Sequence, residues 1–395
     1  MGSKKLQVWL PLLFAIVMVV GMFLGFQLKQ NTSGGLVFLK NTTRTPLQEI
    51  INLIQQKYVD NITPDSLNET VIDEVLSHLD PHSVYIPANE LQSANEDLQG
   101  NFQGIGVEFQ IFNDTVNVVN VIAEGPSFKS GVETGDKIIK VNDTINVARK
   151  NIRPDDIRKL LRGPGGTTVK ITVLRSTQLK DIKIERGTIP IPSVDAAYII
   201  ASQTGFIRIN KFAETTYREF MEAMEKLQKQ GMQKLILDLR GNGGGFLGQA
   251  ADIADEFLND EKLIVYTQGT KVPRAEYRCK KDGVFEKGKL VVLVDETSAS
   301  ASEILSGALQ DWDRATLIGR RTFGKGLVQQ QFGLSDGSAL RLTIARYYTP
   351  LGRNIQKPYD KGREQYEEEL IERFHDGEVV RGDTTKPIGD RKSVV

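Results

Sequence analysis

Residues 290–303 of this chain have the sequence LVVLVDETSASASE. The first five residues are all apolar, and a short run of this kind predicts a strand that is covered on both faces. Ser300 and Glu303 have the Ser-x-x-Glu spacing of a capping box, which predicts that a helix begins at about Ala301. Ser300 is therefore expected at a strand-to-helix turn, where its side chain can project beyond the end of the strand.

The alternation of strands and helices extends on both sides of this segment. Apolar runs and amphipathic stretches predict strands at residues 205–209, 234–239 and 263–268, and helices at residues 215–230, 246–258 and 301–312. Strands that alternate with helices predict a βα core with a mainly parallel sheet. Hairpin-like strands around residues 335–348 close this core.

Two further regions precede the core. Apolar residues at helical spacing between Leu47 and Leu79 predict two helices that are separated near Pro64. Residues 100–190 contain short alternating strands with one helical stretch at residues 154–161, and they predict a small β-rich module. The expected fold class is a multi-domain α/β protein with N-terminal helices, a small β-rich domain and a βα core.

The composition of the chain restricts its chemistry. The 395 residues include 50 Lys and Arg against 50 Asp and Glu, and this balance argues against nucleic acid as a partner of the whole chain. Cys279 is the single cysteine, so neither an internal disulfide nor a Cys/His zinc site is expected. Its surroundings are typical of a polar hairpin rather than of a thiol nucleophile.

The N-terminus has the pattern of a membrane anchor. Lys4 and Lys5 precede an uncharged run at residues 8–26, which would span about 28 Å as a helix. Basic residues on the N-terminal side favour a cytoplasmic N-terminus, with the rest of the chain outside the cytoplasm. No small-residue cleavage site follows, so an uncleaved anchor at residues 1–28 and a polar linker at residues 29–44 are favoured over a removed signal peptide.

The serine-rich turn offers a nucleophile. The first turn of a helix leaves backbone N–H groups unpaired and carries partial positive charge, so it can stabilise an oxyanion. A helix cap and a nucleophile are both consistent with Ser300. The residues alone leave the nucleophile open among Ser298, Ser300 and Ser302.

A serine nucleophile needs a base, and histidines are scarce. His78 and His82 lie in the N-terminal helical segment and His375 lies in the charged C-terminal stretch, so a Ser-His-Asp triad is disfavoured. Lys325 stands between two glycines and close to Phe323, and it could serve as the base if burial keeps it neutral. An ordinary surface lysine in a turn is the alternative.

Two glycine-rich segments are candidate binding loops. Residues 238–245, DLRGNGGG, lack the spacing of a phosphate-binding loop and suit either a tight turn or an oxyanion donor. Residues 104–107, GIGV, precede an alternating strand. Exposed amides beside an open strand edge can hold the terminal carboxylate of a peptide that adds to the sheet.

Together these segments resemble the C-terminal processing peptidases, also called tail-specific proteases, over residues 47–356. The resemblance is carried by LDPHSVY at residues 79–85, by the glycine loops at residues 104–107 and 238–245 with Gly135 and Asp136, and by SASASE at residues 298–303 followed by TFGKG at residues 322–326. It implies an N-terminal helical region at residues 45–99, a PDZ domain at residues 100–188 and a serine protease core at residues 189–357. Residues 358–395 are highly charged and lack apolar periodicity, which predicts either a poorly ordered tail or the start of a truncated region.

The resemblance also implies roles for individual residues. Ser300 would be the nucleophile, Lys325 its general base and Gln329 the residue that orients the lysine. The amide of Ala301 would form the oxyanion hole with an amide of Gly243 or Gly244. The peptide tail would bind at Gly104, Ile105, Gly106 and Val107, and Arg162 would link a loaded PDZ domain to the active site. Neither a cofactor nor a metal is implied.

The expected function is that of a serine endopeptidase that cleaves unfolded or tail-exposed proteins from or near their C-termini. The enzyme would be a single-pass protein of the inner membrane with its catalytic part in the periplasm or outside the cell. Homo-oligomer formation is left open. The alternatives are a non-catalytic PDZ scaffold that binds peptides and a βα enzyme that holds a phosphate at residues 241–245.

Overall fold

The structure of the chain, a computed structural model, describes residues 14–22, 45–60, 64–148 and 151–379. Residues 14–22 are helical, while the rest of the predicted anchor and the predicted linker at residues 29–44 lie outside the described ranges. Within those ranges, no helix combines the length and the apolar character that crossing a membrane requires. The chain divides into two units, Met1–Asn68 and Glu69–Val395, and the candidate site belongs to the second unit.

The N-terminal helical region also contributes a strand. Its helices are α1 (Pro46–Lys57), α2 (Pro64–Ser77) and α3 (Ala88–Gln99), and strand β1 (Val84–Ile86) precedes α3. Proline opens both α1 and α2, where its missing N–H costs no helical hydrogen bond. The strand was not expected from the sequence, because it pairs with residues 339–341 rather than with a local partner.

The β-rich module is antiparallel and has its own apolar core. Its strands are β2 (Asn101–Gly104), β3 (Val107–Phe112), β4 (Thr115–Val121), β5 (Lys137–Val141), β6 (Ile145–Asn146), β7 (Thr168–Arg175), β8 (Gln178–Glu185) and β9 (Gly187–Pro190), and its helices are α4 (Pro126–Lys129) and α5 (Pro154–Leu161). The sheet order is β3-β4-β5-β7-β8. Ile138, Ile157 and Ile171 are fully buried at its centre. Strands β2 and β9 pair where the chain enters and leaves the module.

The core begins with a sheet that is mainly parallel, as predicted. Its strands are β10 (Val194–Ala201), β11 (Thr204–Ile209), β12 (Lys234–Asp238), β15 (Lys289–Val294) and β16 (Thr316–Gly319), and its helices are α6 (Thr216–Lys229), α7 (Leu247–Asp255) and α8 (Ala301–Asp311). Strands β12 and β15 are parallel neighbours, with Asp238 opposite Leu293. The glycine loop after β12 and the serine turn after β15 therefore leave the same edge of the sheet, where α/β proteins bind ligands.

A second, antiparallel sheet carries the segment that contains Lys325. Its strands are β13 (Leu263–Gln268), β14 (Ala275–Arg278), β17 (Leu327–Gly333) and β18 (Ala339–Tyr348), together with β1. Lys325 lies just before β17, and Gln329 lies within it. The candidate site is thus formed by segments of two sheets. Ser300 follows β15 of the parallel sheet, and Lys325 precedes β17 of the antiparallel sheet.

The expectation of a poorly ordered tail after residue 357 is wrong for the part of it that is described. Residues Arg363–His375 form helix α9, in which Tyr366 and Arg373 are buried. The Arg373 guanidinium donates to the carbonyl oxygens of Arg321 and Thr322, at 2.5 and 3.2 Å. A charged side chain that docks on backbone carbonyls produces no apolar periodicity, which is why the sequence pattern did not reveal this helix. Residues 380–395 lie outside the described ranges.

Candidate active site

Ser300 lies at the N-cap of α8, where the chain turns sharply from β15 into the helix. Its backbone has φ 55° and ψ −112°, a conformation that is strained for a residue with a Cβ atom. Such a turn is the geometry of a nucleophile elbow, which exposes a serine hydroxyl at the edge of an α/β sheet. Backbone strain that is retained beside a cavity points to a functional role for this residue.

The structure separates the three candidate serines. Ser298 and Ser302 are fully buried. The Ser298 hydroxyl donates to the carbonyl oxygen of Leu239 at 2.8 Å, and the Ser302 hydroxyl donates to that of Asn242 at 2.9 Å. Ser300 is half-buried and lines a cavity of about 550 Å³. Of the three, only Ser300 has a side chain that a substrate in this cavity could reach.

Glu303 joins the serine turn to the segment that carries the lysine. Its fully buried carboxylate accepts the backbone N–H groups of Ser300 and Lys325, both at 2.8 Å. It also accepts the N–H of Gly324 and the hydroxyl of Thr322, both at 2.7 Å. Burial raises the pKa of Glu303, and these donors act in the opposite direction. The predicted capping box is confirmed, and its acidic residue also has partners far along the chain.

Lys325 and Gln329 line the same cavity as Ser300. The Lys325 ammonium donates to the Gln329 side-chain oxygen at 3.1 Å. The amide nitrogen of Gln329 in turn donates to the backbone carbonyl of His82. Because an amide has one donor end and one acceptor end, the bond to His82 directs the Gln329 oxygen toward the lysine.

The surroundings of Lys325 favour its neutral form. Burial lowers its pKa, and the positive charge of Arg341, which lines the same cavity, lowers it further. The negative charges of Asp80 and Glu303 act against this shift. The direct partner of the lysine is an uncharged amide, which stabilises the ammonium less than a carboxylate would. A half-buried lysine whose pKa is lowered is suited to accept a proton from a nearby hydroxyl.

The glycine loop closes the site beside Ser300. Gly244 has φ +100°, and a Cβ atom there would lie 2.7 Å from both the Ala299 carbonyl oxygen and the Ser300 Cβ. Only glycine fits so close to the serine. The Gly244 N–H donates to the Asn242 side chain at 2.9 Å, whereas those of Gly243 and Ala301 make no hydrogen bond within the described residues. In this conformation the backbone N–H groups of Gly243 and Ala301 are therefore free to donate a hydrogen bond.

The predicted peptide-binding loop lines a separate groove. Residues 104–107 lead into β3, which forms the edge of its sheet, and a cavity of about 560 Å³ lies between this strand and α5. The apolar residues of this groove are Phe102, Ile105, Val107, Phe109, Ile111, Phe112, Pro154 and Leu161. In the described part of the chain, the N–H groups of Ile105 and Gly106 have no partner. The edge strand and its free amides suit an added peptide strand with a terminal carboxylate.

Arg162 lies at this groove and not in the cavity that contains Ser300. It follows α5, is exposed, and stacks its guanidinium 4.3 Å from the ring centroid of Phe102. Phe102 belongs to β2, the strand through which the chain enters the β-rich module. Arg162 therefore contacts the junction of the module rather than the candidate catalytic residues.

Sequence reasoning missed several residues of the site. His82 was weighed only as a base, but its backbone carbonyl holds Gln329, and burial lowers the pKa of its ring to about 4. Asp80 accepts the N–H groups of His82 and Ser83, both at 2.9 Å, and so shapes this turn. The motif at residues 79–85 was the available signal, although it suggested no chemistry. Arg341 and Tyr347, which line the cavity from β18, had no sequence signal.

Two other predictions about reactive groups can be compared with the structure. Cys279 follows β14 and is buried rather than exposed in a polar hairpin, and burial raises the pKa of its thiol to about 12. An inert, buried thiol fits the prediction that it is no nucleophile. No group of His, Cys, Asp and Glu that could hold a metal ion occurs among the residues that the structure describes.

A β-rich domain with an open groove, followed by an α/β core with an elbow serine, is the architecture of serine peptidases that carry a PDZ domain. Residues 103–185 match the profile of the PDZ domain, and residues 203–362 match that of peptidase family S41. A probable CtpA-like serine protease of Staphylococcus haemolyticus (strain JCSC1435) is 35% identical over 331 residues, which cover 83% of this chain and 65% of that protein. The protein of the same description from Staphylococcus aureus (strain N315) is 35% identical over 350 residues, covering 87% and 68%.

Among solved structures, the photosystem II D1 C-terminal processing protease is 28% identical with a TM-score of 0.45, and the match covers 78% of this chain and 84% of that one. The chain belongs to peptidase family S41. The family match and the relatives confirm the resemblance predicted from its motifs. The described helices and sheets confirm the predicted fold class. The chain spans about two thirds of the length of the curated relatives that it matches.

Replacing Gly244 with Ala should lower the free energy of unfolding by about 2–3 kcal/mol, because the new Cβ would meet backbone atoms in a positive-φ conformation. Gly248→Ala in α7 is the matched control. A Cβ at Gly248 would enter open space, so this change should stabilise the chain by about 0.5–1 kcal/mol. Urea unfolding followed by circular dichroism distinguishes the two. Equal effects would contradict the close approach of the loop to Ser300.

Proposed function

We propose that this chain is a serine endopeptidase that cleaves proteins from or near their C-termini in the cell envelope. Ser300 is the nucleophile, Lys325 is its general base, and Gln329 orients the lysine. The observation that carries the proposal is that one cavity contains a strained, accessible serine and a half-buried lysine whose pKa is lowered. The similarity to relatives described as CtpA-like serine proteases supports the same chemistry.

The reaction is an acyl transfer. Neutral Lys325 takes the proton of the Ser300 hydroxyl while the oxygen attacks a peptide carbonyl. The amides of Ala301 and Gly243 bind the oxyanion of the tetrahedral intermediate. Lys325 then gives the proton to the leaving amine, and water hydrolyses the acyl-enzyme. The proton moves between serine, lysine and amine, so this scheme requires no cofactor.

The groove beside Gly104, Ile105, Gly106 and Val107 would capture the substrate. A protein tail adds to the open edge of β3, and its carboxylate meets the free amides of the loop. Because this groove and the catalytic cavity are separate, the substrate has to present an extended or unfolded tail that can reach both. Arg162, stacked on Phe102, would link the loaded groove to the core.

The proposed location is the cytoplasmic membrane, with the catalytic part on its outer side. The uncharged run at residues 8–26 and the preceding Lys4 and Lys5 support a single anchor. Carbonate extraction of membranes tests this assignment. An anchored chain stays in the membrane pellet, whereas release of the chain into the supernatant would contradict the proposal.

Cleavage of casein without nucleotide is the test of the catalytic assignment. The unmodified chain should cut, and Ser300→Ala and Lys325→Met should each lower the rate by about 10⁴-fold or more, because each removes a member of the catalytic pair. Lys226→Met is the matched control, since Lys226 is exposed on α6 and its loss should leave the rate unchanged.

Each other outcome of this experiment has a defined meaning. Residual cleavage by a folded Ser300→Ala variant would show that another residue is the nucleophile. A chain that binds tail peptides but cleaves nothing would be a PDZ scaffold rather than a peptidase. Cleavage that depends on added nucleotide would favour a phosphate site at the glycine loop.

Replacing Gln329 with Glu should move the pH dependence of cleavage to higher pH. A carboxylate next to the ammonium would raise the pKa of Lys325, and the lysine acts as a base only above its pKa. The rate at pH 7 should therefore fall about tenfold, and it should recover at alkaline pH. Gln330→Glu, on the exposed neighbouring residue, should leave the midpoint of the pH profile unchanged. An unshifted midpoint in Gln329→Glu would contradict the role of Lys325 as the base.

A further inference from the structure

Tyr347 is a fully buried tyrosine in the wall of the candidate catalytic cavity. Its side chain is only 1% exposed, and it packs in the main apolar core of the chain. Its hydroxyl has no hydrogen-bond partner of normal geometry among the described residues. It also lines the cavity that contains Ser300 and Lys325. The proposed acyl transfer assigns no role to this buried, unpartnered hydroxyl.

Two residues of the serine turn, Ser300 and Glu303, influence the Tyr347 hydroxyl. Burial raises the pKa of Tyr347 well above its usual value, and the charge of Glu303 raises it further. The Ser300 side chain is near enough to lower it again, although no well-formed hydrogen bond joins the two groups. The backbone N–H of Tyr347 donates to the carbonyl oxygen of Gly326 at 3.0 Å, next to Lys325. Tyr347 thus contacts the lysine segment through its backbone, and it lines the same cavity as Ser300.

Stability alone does not explain a tyrosine at this position. A buried hydroxyl without a partner destabilises a protein, whereas phenylalanine would supply the same ring without that cost. The ring fills the core in either case. A second state of the site can supply the missing partner, and Ser300 is a polar residue that lines the same cavity as Tyr347.

We infer that the Tyr347 hydroxyl is a positioning group that donates a hydrogen bond to Ser300 Oγ when the serine turns toward its base. This inference rests on the proposed function, because it requires Ser300 to be the nucleophile. A donor on one side of Oγ leaves the serine O–H free to point at Lys325 Nζ. The serine proton goes to Lys325 and Tyr347 keeps its own, so no atom is transferred to or from the tyrosine. The same donor stabilises the negative charge that develops on Oγ during attack.

Replacing Tyr347 with Phe in the full chain tests this role. We expect kcat for casein or a tail peptide to fall about tenfold or more, which corresponds to the loss of one hydrogen bond in the transition state. KM and the midpoint of the pH profile should not change, because neither the binding groove nor the pKa of Lys325 depends on this hydroxyl. The stability of the chain toward urea should stay the same or rise.

Tyr348→Phe is the matched control. Tyr348 is the next residue on β18, stacks on Tyr266 at 4.9 Å between ring centroids, and does not line the cavity. Its change should leave kcat unaltered. The inference would be overturned by a Tyr347→Phe variant with normal kcat. It would also be overturned if the lower kcat came with lower stability and a shifted midpoint of the pH profile.

The experiment separates this inference from the proposed function. If the unmodified chain cuts and Ser300→Ala does not, the proposed function stands whatever Tyr347→Phe does. If cleavage persists in Ser300→Ala, the proposed function fails and the role of Tyr347 fails with it.

Discussion

One buried carboxylate, that of Glu303, determines how the two halves of the site meet. The serine turn extends from the parallel sheet, and the lysine segment leads into the antiparallel sheet. The carboxylate accepts hydrogen bonds from Ser300 on one side and from Gly324 and Lys325 on the other. A buried carboxylate is tolerated only while its donors remain in place, so neither segment can move away without a large loss of stability. The strained backbone of Ser300 is retained under this constraint.

Distant parts of the chain support the same lysine segment. The turn at His82, near the start of the second unit, holds Gln329 and through it the lysine. Helix α9, near the end of the described residues, docks Arg373 on the carbonyl of Thr322, whose hydroxyl binds Glu303. These contacts hold the half-buried Lys325 beside Gln329, and its partial removal from water is the main cause of its lowered pKa. The arrangement of the candidate site therefore depends on His82, Thr322 and Arg373, which do not line its cavity.

Local patterns were sufficient to predict much of the fold. The bounds of α5 and β13 were predicted correctly, because amphipathic and apolar periodicities are set by neighbouring residues. The turn at Ser300 was predictable for the same reason. The residues alone left Ser298, Ser300 and Ser302 open, and only the family resemblance pointed to Ser300. The structure distinguishes them through hydrogen bonds of Ser298 and Ser302 to the carbonyls of Leu239 and Asn242, which no local pattern reveals. Tyr347, β1 and α9 were missed because long-range pairing and buried polar contacts leave no periodic signal.

Amide hydrogen exchange in Glu303→Gln is the measurement that tests the central role of this carboxylate most directly. A glutamine side chain would direct its own N–H donors toward the backbone N–H groups that Glu303 accepts. The hydrogen bonds that join the two segments should therefore weaken. Exchange at Gly324 and Lys325 should become at least about tenfold faster, while exchange in β7 of the PDZ domain should stay unchanged. Unchanged exchange at Gly324 and Lys325 would contradict this role of Glu303, because the two segments would then be held together by other contacts.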